Sequence, residues 1–351
     1  MSTHPHLLAI ATAVPDHVLR RDAVMLGAKR VFAGSAGEID RLMPIYANAG
    51  VEQRRSCVPI EWFFEPHGWA ERNRLFLDHA LVLMEQASIK ALAAAGLTAD
   101  QVDVLITVSS SGVATPSLDA RLMERLDFRR DVVRLPIFGL GCAGGVLGLG
   151  RAAAMAAGHG GAVVLLVVVE LCGLTFRAND QSKSNVVATA LFGDGAGAAV
   201  IGPPGGRRDA PALTAWGEFT WPQSLEVMGW RVEDDGFGVL FSQSIPQLVR
   251  ERFRSAVEAF LARHNLDLGL IDRFLCHPGG AKVVTALERA MDLPEGSLED
   301  ERAVLRDYGN MSAATVLFVM QRGLGGGARG RLLVSGLGPG FSAGFLVMEQ
   351  R

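Results

Sequence analysis

Short apolar runs that look like strands alternate with longer helix-like runs along the whole chain, and this alternation restricts the possible folds most strongly. The strand candidates are rich in β-branched residues and lie at 102–109, 162–170, 195–201, 274–277 and 331–336. The helix candidates lie at 74–95, 117–126, 148–157, 245–264, 281–291 and 313–323. Because buried strands separated by helices are typical of α/β proteins, the pattern predicts an α/β fold with mostly buried sheets.

The same order of features occurs on both sides of a glycine- and proline-rich stretch at 202–211, which is the best candidate for a linker. Cys142 precedes a small-residue helix in the first part, and Asn310 precedes a similar helix in the second. A glycine-rich turn then leads into the last strand of each part. We therefore predict two duplicated halves with the active site between them, residues 1–202 and 212–351.

Composition excludes several classes of protein. The 351 residues are 49% hydrophobic and 20% charged, which is typical of a globular chain. The net charge of −3 argues against a nucleic-acid partner. The longest strongly apolar run, 162–169, is too short to span a membrane, and the first residues lack a secretion-signal pattern. The four cysteines have neither disulfide nor zinc spacing, so we expect a cytoplasmic protein without a bound metal.

Cys142 is the first candidate catalytic residue. It lies between glycines, after a strand-like run and before a run of small residues that is typical of a packed helix. Unpaired N–H groups and the positive end of the dipole at a helix N-terminus favour the thiolate, which is the nucleophilic form of cysteine. The alternative is a buried cysteine that only fills space.

His277 and Asn310 are the other two candidates. His277 ends a short apolar strand before a Pro-Gly-Gly turn, at a strand end of the kind where sites are often built. A structural or surface histidine, and an asparagine that only caps a helix, are the alternatives. Cysteine, histidine and asparagine together suit a reaction that needs a thiolate nucleophile and polar donors for an oxyanion or enolate.

Five short motifs occur in an order shared with one known family. They are Gly141-Cys142-Ala143-Gly144-Gly145, Phe192-Gly193-Asp194-Gly195-Ala196, His277-Pro278-Gly279-Gly280, Gly309-Asn310-Met311-Ser312-Ala313 and Gly338-Pro339-Gly340. On these motifs the chain resembles the thiolase superfamily and, within it, the type III polyketide synthases (chalcone-synthase-like enzymes). The resemblance implies a thiolase-like five-layered αβαβα fold built from two duplicated halves, and an acyltransferase that performs decarboxylative condensation.

The resemblance also implies the roles of the three residues. Cys142 takes the acyl group of an acyl-CoA starter, and malonyl-CoA then loses carbon dioxide. His277 and Asn310 hydrogen-bond the enolate oxygen, and His277 keeps Cys142 ionised. No cofactor is expected, because coenzyme A enters as part of the substrates. A homodimer is expected as well.

The same resemblance predicts which residues bind the substrate. The cavity positions are Phe192, Val239, Ser110, Ser111, Thr115, Cys172, Thr175 and Ser312. Phe192 matches a gatekeeper residue of the family. Val239 stands where plant enzymes carry phenylalanine, and the smaller valine would open space for a long chain. The alternative is that Val239 is only a buried strand residue. Thr115 lies on a loop that reaches the partner subunit in the family. Arg54 and Arg55 match a region that contacts the phosphates of coenzyme A, although a solvated surface pair is equally consistent with the sequence.

The expected starter is a medium or long fatty acyl-CoA that gives alkylpyrone or alkylresorcinol products. Three alternatives remain open at this point. One is a polyketide synthase with a small starter, of tetrahydroxynaphthalene, phloroglucinol or chalcone type. Another is a ketoacyl-synthase III that works with an acyl-carrier protein, although Pro278-Gly279-Gly280 replaces the Gln-Ala-Asn run usual there. The last is a non-catalytic scaffold of the same fold.

Overall fold

Nine strands form one mixed sheet at the centre of the molecule. The computed structural model describes residues 4–32, 41–158, 160–204 and 209–350. The strands are β1 His6–Ala13, β2 His17–Arg20, β3 Gln53–Ser56, β4 Val104–Ser109, β5 Val133–Phe138, β6 Val164–Leu171, β7 Asp194–Gly202, β8 Ala212–Thr220, β9 Met228–Glu233, β10 Gly236–Phe241, β11 Arg273–Cys276, β12 Gly330–Gly338 and β13 Ser342–Gln350. The large sheet has the order β11-β12-β13-β8-β1-β7-β6-β4-β5, while β9 pairs with β10 and β2 pairs with β3.

Eleven α-helices surround and separate these strands within the described residues. They are α1 Arg21–Val31, α2 Pro44–Asn48, α3 Trp69–Ala95, α4 Leu118–Leu122, α5 Gly144–Gly158, α6 Lys183–Leu191, α7 Ile245–Leu248, α8 Arg254–Ala262, α9 Ala281–Ala290, α10 Glu299–Tyr308 and α11 Thr315–Gly325. A π-helical turn, Val249–Phe253, joins α7 to α8. The predicted linker at 202–211 joins β7 to β8, and its residues 205–208 lie outside the described residues.

Alternate side chains on each strand face two different hydrophobic cores, since successive residues of a strand point to opposite faces of a sheet. On β4, Leu105 packs in the core that contains α3, and Ile106 packs in the core that contains α5 and α11. On β12, Leu333 packs against α7, α8 and α9, and Val334 faces α5 and α11. Strands β1 and β4–β7 therefore lie between α3 and the central helices, and β8 and β11–β13 lie between the central helices and α7–α9.

This arrangement gives five layers in the order helix, sheet, helix, sheet, helix. The two groups of strands meet at a single backbone pair, His6 with Ala212, which joins β1 to β8. The predicted α/β class and the αβαβα layering are confirmed. Both faces of β4, β6 and β7 are covered, which is why these strands are buried along their whole length.

The central helices α5 and α11 approach each other where small residues face one another. A Cβ atom on Gly145 would lie 2.6 Å from Val316 Cγ1 and closer still to the carbonyl oxygen of Ala313. Only glycine permits this distance, because any side chain would overlap the other helix. The contact brings the N-termini of the two helices together, so the loops that carry Cys142 and Asn310 become neighbours.

Within the described ranges, no helix combines the length and apolar character needed to cross a bilayer. The same residues include no group of three or more His, Cys, Asp or Glu side chains that could hold a metal ion.

Candidate active site

Cys142 lies in the short turn between β5 and α5. The turn is a 3₁₀ helix at Gly141–Ala143, and α5 begins at the next residue. Gly141 has a φ of +46°, and a Cβ atom there would lie 2.6 Å from Cδ of Pro339. The glycine therefore allows the loop after β12 to close over the turn. The Cys142 side chain stays partly exposed.

Asn310 reaches Cys142 from the N-terminal end of α11. Its side chain is fully buried, and its Oδ1 lies 3.9 Å from Cys142 Sγ. The same oxygen accepts the backbone N–H of Ser312 at 2.8 Å, and Nδ2 donates to the Gly279 carbonyl at 3.3 Å. Asn310 thus shapes the turn before α11 and also contacts the thiol, so its role as a cap does not prevent a contact with Cys142.

His277 adjoins the same place from the end of β11. The residue is buried, and its backbone N–H donates to the Ser335 carbonyl at 2.8 Å. A Cβ atom on Gly336 would lie 3.3 Å from the Cys142 carbonyl oxygen and 3.5 Å from His277 Cβ, so both residues flank that glycine. Neither ring nitrogen of His277 has a hydrogen-bond partner among the described residues. Both ring nitrogens therefore keep their capacity to form a hydrogen bond.

Burial works against ionisation of this pair. It raises the pKa of the Cys142 thiol to about 11, and the negative charge of Glu170 acts in the same direction. Hydrogen bonds from Ser312 and Asn310 lower the thiol pKa but do not compensate. Burial also lowers the pKa of His277 to about 3. These surroundings disfavour the ionised forms of both groups, and the expectation of a resting thiolate stays a prediction.

Glu170 is a functional candidate that sequence reasoning missed. It is fully buried near the end of β6, and its Oε2 accepts the Ser111 hydroxyl at 2.6 Å and the Ser110 backbone N–H at 3.0 Å. Burial raises its pKa. Its other oxygen, Oε1, has no partner among the described residues. The signal was present in the sequence, because Glu170 is the single acid within the apolar strand Val164–Leu171.

One cavity of about 400 Å³ opens onto the thiol. Its walls include Cys142, Phe192, Val239 and Ser312, so the structure brings these predicted residues together. Sequence reasoning missed Trp230, which pairs with Val239 across β9 and β10. The Trp230 ring lies 5.9 Å from the Phe192 ring in an edge-to-face arrangement. Part of the space that the valine opens is therefore filled by the tryptophan.

A second cavity of about 670 Å³ lies on the other side of Phe192. Its walls include the predicted residues Cys172 and Thr175. The other walls are mostly apolar and include Val24, Phe32, Phe63 and Phe64, and Arg55 also lines the cavity. Phe192 lines both cavities and is their common wall. Cys172 and Thr175 therefore line a space next to the Cys142 cavity and not that cavity itself.

Ser110, Ser111 and Thr115 are not among the walls of the cavity at Cys142. The Ser110 hydroxyl accepts the Gly141 backbone N–H at 3.0 Å, and the Ser111 hydroxyl donates to Glu170 and accepts the Leu171 N–H. These bonds tie Ser110 and Ser111 to the turn before α5 and to the end of β6. Thr115 is exposed at the surface of the chain.

Arg54 is not available to a phosphate, which corrects the expectation for this residue. Its side chain is buried, and Nη1 donates to the Phe192 carbonyl at 3.0 Å. Burial lowers its pKa to about 10, while Tyr46 and Asp194 raise it. Arg55 lines the larger apolar cavity. The two arginines thus support the gatekeeper segment and the neighbouring cavity, and they do not form a surface pair.

Comparison with known proteins decides the family. The family model "Chalcone and stilbene synthases, N-terminal domain" matches residues 67–204, and the corresponding C-terminal model matches residues 214–347. The chain belongs to the chalcone and stilbene synthase family. It is a type III polyketide synthase, a condensing acyltransferase, and such enzymes need no cofactor beyond their coenzyme A thioester substrates. This resolves the choice against ketoacyl-synthase III and a non-catalytic scaffold.

Individual relatives are similar to this protein over most or nearly all of its length. A 1,3,6,8-tetrahydroxynaphthalene synthase of Streptomyces peucetius is 40% identical, over 97% of this chain and 92% of its own. Type III polyketide synthase C of Arabidopsis thaliana is 30% identical, over 90% of this chain and 86% of its own. The crystal structure of the tetrahydroxynaphthalene synthase of Streptomyces coelicolor superposes with a TM-score of 0.93 at 28% identity and covers 99% of both chains. The thiolase-like fold is therefore confirmed.

Proposed function

We propose that this polyketide synthase carries its growing chain on Cys142 and uses His277 and Asn310 for proton transfer and enolate stabilisation. One observation carries the proposal. The three residues come from separate segments of the chain, yet Asn310 Oδ1 lies 3.9 Å from Cys142 Sγ, and His277 flanks the same glycine as Cys142. A thiol, an imidazole base and an amide that lie close together are the groups that acyl transfer and condensation require.

The chemistry begins with a proton transfer. His277 takes the Cys142 proton while the sulfur attacks the starter thioester. Coenzyme A leaves as a thiol after His277 returns that proton. Malonyl-CoA then releases carbon dioxide, and donors on His277 and Asn310 bind the enolate oxygen where the negative charge develops. The enolate attacks the Cys142 thioester, frees the sulfur and yields a chain two carbons longer.

Alanine variants test these roles. Asn310→Ala is expected to retain starter loading on Cys142 and to lose malonyl-CoA decarboxylation, because the amide acts on the enolate. His277→Ala is expected to impair both steps. Loading is measured by intact-protein mass spectrometry and decarboxylation by release of labelled carbon dioxide. Equal loss of both steps in Asn310→Ala would contradict its assignment to the enolate.

For the starter we propose a medium or long fatty acyl-CoA, with alkylpyrone or alkylresorcinol products. The support is the apolar lining of the cavity beyond Phe192, since an alkyl chain is stabilised by burial against such walls. A small starter is the second candidate. It is supported by Trp230, which narrows the cavity at Cys142, and by relatives that are named tetrahydroxynaphthalene synthases.

Product analysis separates the two candidates. The protein is incubated with malonyl-CoA and acyl-CoA starters of increasing length, without carrier protein, and products are identified by mass spectrometry. Thr175→Phe, which fills the apolar cavity, is expected to suppress products from long starters and to spare those from short ones. If only acetyl- or malonyl-primed products form, the fatty starter is excluded.

We propose that the phosphates of coenzyme A bind in a surface cleft beside α9, and not at Arg54. The cleft contains Arg250, Lys282 and Arg289, all exposed, and none has an ion-pair partner in the described part of the chain. Lys282 lies just beyond the loop that follows His277. Unpaired cations near the site suit a substrate that carries several phosphate charges. Arg289→Ala is expected to raise KM for malonyl-CoA at unchanged kcat, and Arg252→Ala, outside the cleft, serves as control.

We propose a homodimer that associates through β5. This strand ends the large sheet, so one side of its backbone is unpaired. Val133 is 45% exposed, Phe138 58% and the nearby Val113 44%, which is unusual for apolar side chains grouped at a sheet edge. Val133→Arg is expected to give monomers in light scattering, whereas Ile89→Arg, at another exposed apolar position, is expected to leave the dimer intact.

The cytoplasmic location stays a prediction.

A further inference from the structure

The end of β11, which carries His277, lies at the other edge of the large sheet. Among the residues that the structure describes, strand β11 pairs only with β12, and Cys276 is opposite Ser335. Backbone N–H groups of a strand alternate in direction, so those of consecutive residues point to opposite sides. The His277 N–H points into the sheet and donates to the Ser335 carbonyl at 2.8 Å. The Cys276 N–H points out of the sheet, to the side where no strand follows.

The side chain of Glu301, on α10, takes the place of the missing strand. Its Oε1 accepts the Cys276 N–H at 2.7 Å, and the carboxyl group is 1% exposed. A buried backbone donor without a partner costs free energy comparable to a lost hydrogen bond, so the carboxyl group satisfies a real requirement. The backbone at Cys276 and His277 is thus held from both sides, by Glu301 outside the sheet and by Ser335 within it.

We propose that Glu301 is a positioning residue that fixes the end of β11 and thereby aims the His277 imidazole at Cys142. The proposal rests on the role proposed for His277. Because neither ring nitrogen of His277 is hydrogen-bonded among the described residues, its orientation depends on its backbone and on packing. A displacement of about 1 Å in such a group is enough to reduce a reaction rate about 100-fold.

The carboxyl group also makes this support sensitive to pH. Burial raises the pKa of Glu301 to about 7, with Asp300 acting in the same direction and Arg273 against it. Asp300 is itself paired with Arg273 on β11 and with Arg322 on α11. The remaining charged pair near this part of α10 is Arg302 with Glu288 of α9. The hydrogen bond from Cys276 is stronger when the acceptor is ionised, so the support changes near neutral pH.

Two substitutions at Glu301 separate the acceptor from the charge. Glu301→Gln keeps an acceptor but does not titrate, and Glu301→Leu has a similar size and no acceptor. Glu299→Leu, at an exposed position on the same helix, is the matched control. We expect Glu301→Gln to keep kcat for malonyl-CoA decarboxylation within about threefold of wild type and to lose the inflection near pH 7. We expect Glu301→Leu to reduce kcat at least tenfold with KM unchanged.

A second readout does not depend on turnover. In protein with ¹⁵N-labelled histidine, the His277 ring resonances, assigned with His277→Ala, should move in Glu301→Leu and stay in place in Glu301→Gln. Wild-type kcat in a folded Glu301→Leu, or a Glu301→Gln that retains the inflection near pH 7, would overturn the proposal. If Glu301→Leu fails to fold, the pH profile of Glu301→Gln decides. If the wild type forms no product, the proposed function fails, and the resonances alone decide the role of Glu301.

Discussion

Gly145 provides a test of the idea that the site depends on close contact between α5 and α11. Substitution by alanine adds one methyl group three residues after Cys142. That methyl would lie 2.6 Å from Val316 Cγ1 and closer still to the Ala313 carbonyl oxygen, whereas real Cβ atoms essentially never come within 3.0 Å of a neighbour. The valine can rotate, but the backbone oxygen cannot, so α11 must shift.

The expected losses of stability and of activity in Gly145→Ala follow from the position of Ala313. Overpacking a close-packed core costs about 1–3 kcal/mol, and a contact with backbone puts Gly145→Ala at about 3 kcal/mol. Ala313 lies three residues after Asn310, so the same shift moves the amide away from the thiol. Displacement of about 1 Å at a reacting group costs about 100-fold in rate. We therefore expect both a lower urea midpoint and about 100-fold less product.

Gly158→Ala is the matched control, because it makes the same change at the other end of α5. No atom lies within 4 Å of the position of its added methyl. Alanine is a better helix former than glycine by up to about 1 kcal/mol, so stability should stay the same or rise slightly, with unchanged activity. The assay is urea unfolding followed by fluorescence, together with product formation from acyl-CoA and malonyl-CoA. If Gly145→Ala matches Gly158→Ala in both, the two central helices do not set the site geometry.

Three further predictions concern buried charges and cavity size. Glu170→Gln removes a negative charge that raises the pKa of Cys142, so iodoacetamide should label Cys142 faster at pH 7; an unchanged rate would contradict this. Trp230→Ala enlarges the cavity at Cys142 and should add longer products in mass spectrometry, and an unchanged product profile would show that Trp230 does not limit chain length. The pKa of Glu301 rises on folding from 4.5 to about 7, so its stabilising contribution is complete below pH 4.5 and is lost as the pH rises through 7. That loss is about 3 kcal/mol, and in Glu301→Gln the urea midpoint should fall less between pH 5 and 8.

The main elements of the fold could be predicted because their signals are local. The apolar run predicted as a strand at 162–170 is β6, Val164–Leu171, and the predicted helix at 74–95 is α3, Trp69–Ala95. Helix α5 begins at Gly144, four residues before the predicted start. The glycines at its beginning are typical of helix breakers in the sequence, but here they permit the close contact with α11. The predicted helix at 245–264 is interrupted by the π-helical turn Val249–Phe253, for which no local signal was found.

The site was only partly predictable from motifs. Cys142, His277 and Asn310 stand out because each lies beside glycines at the end of an element, and glycine-rich turns are readable in one dimension. The side chains that surround these residues in the folded protein cannot be identified from such local motifs. Trp230 lies on a short hairpin without a motif, and its contact with Phe192 depends on how that hairpin packs against the rest of the chain.

The alternation of strands and helices, the duplicated order of motifs and three candidate catalytic side chains can be read from the sequence. The surroundings of those side chains come from the packing of distant segments. Burial depends on residues far away in the chain, and it raises the pKa of Cys142, lowers that of His277, encloses Arg54 and leaves Glu301 to support the strand of His277. Local sequence encodes which groups are present. Their solvation, and therefore their pKa values and the atoms that they can contact, depends on how the whole chain packs.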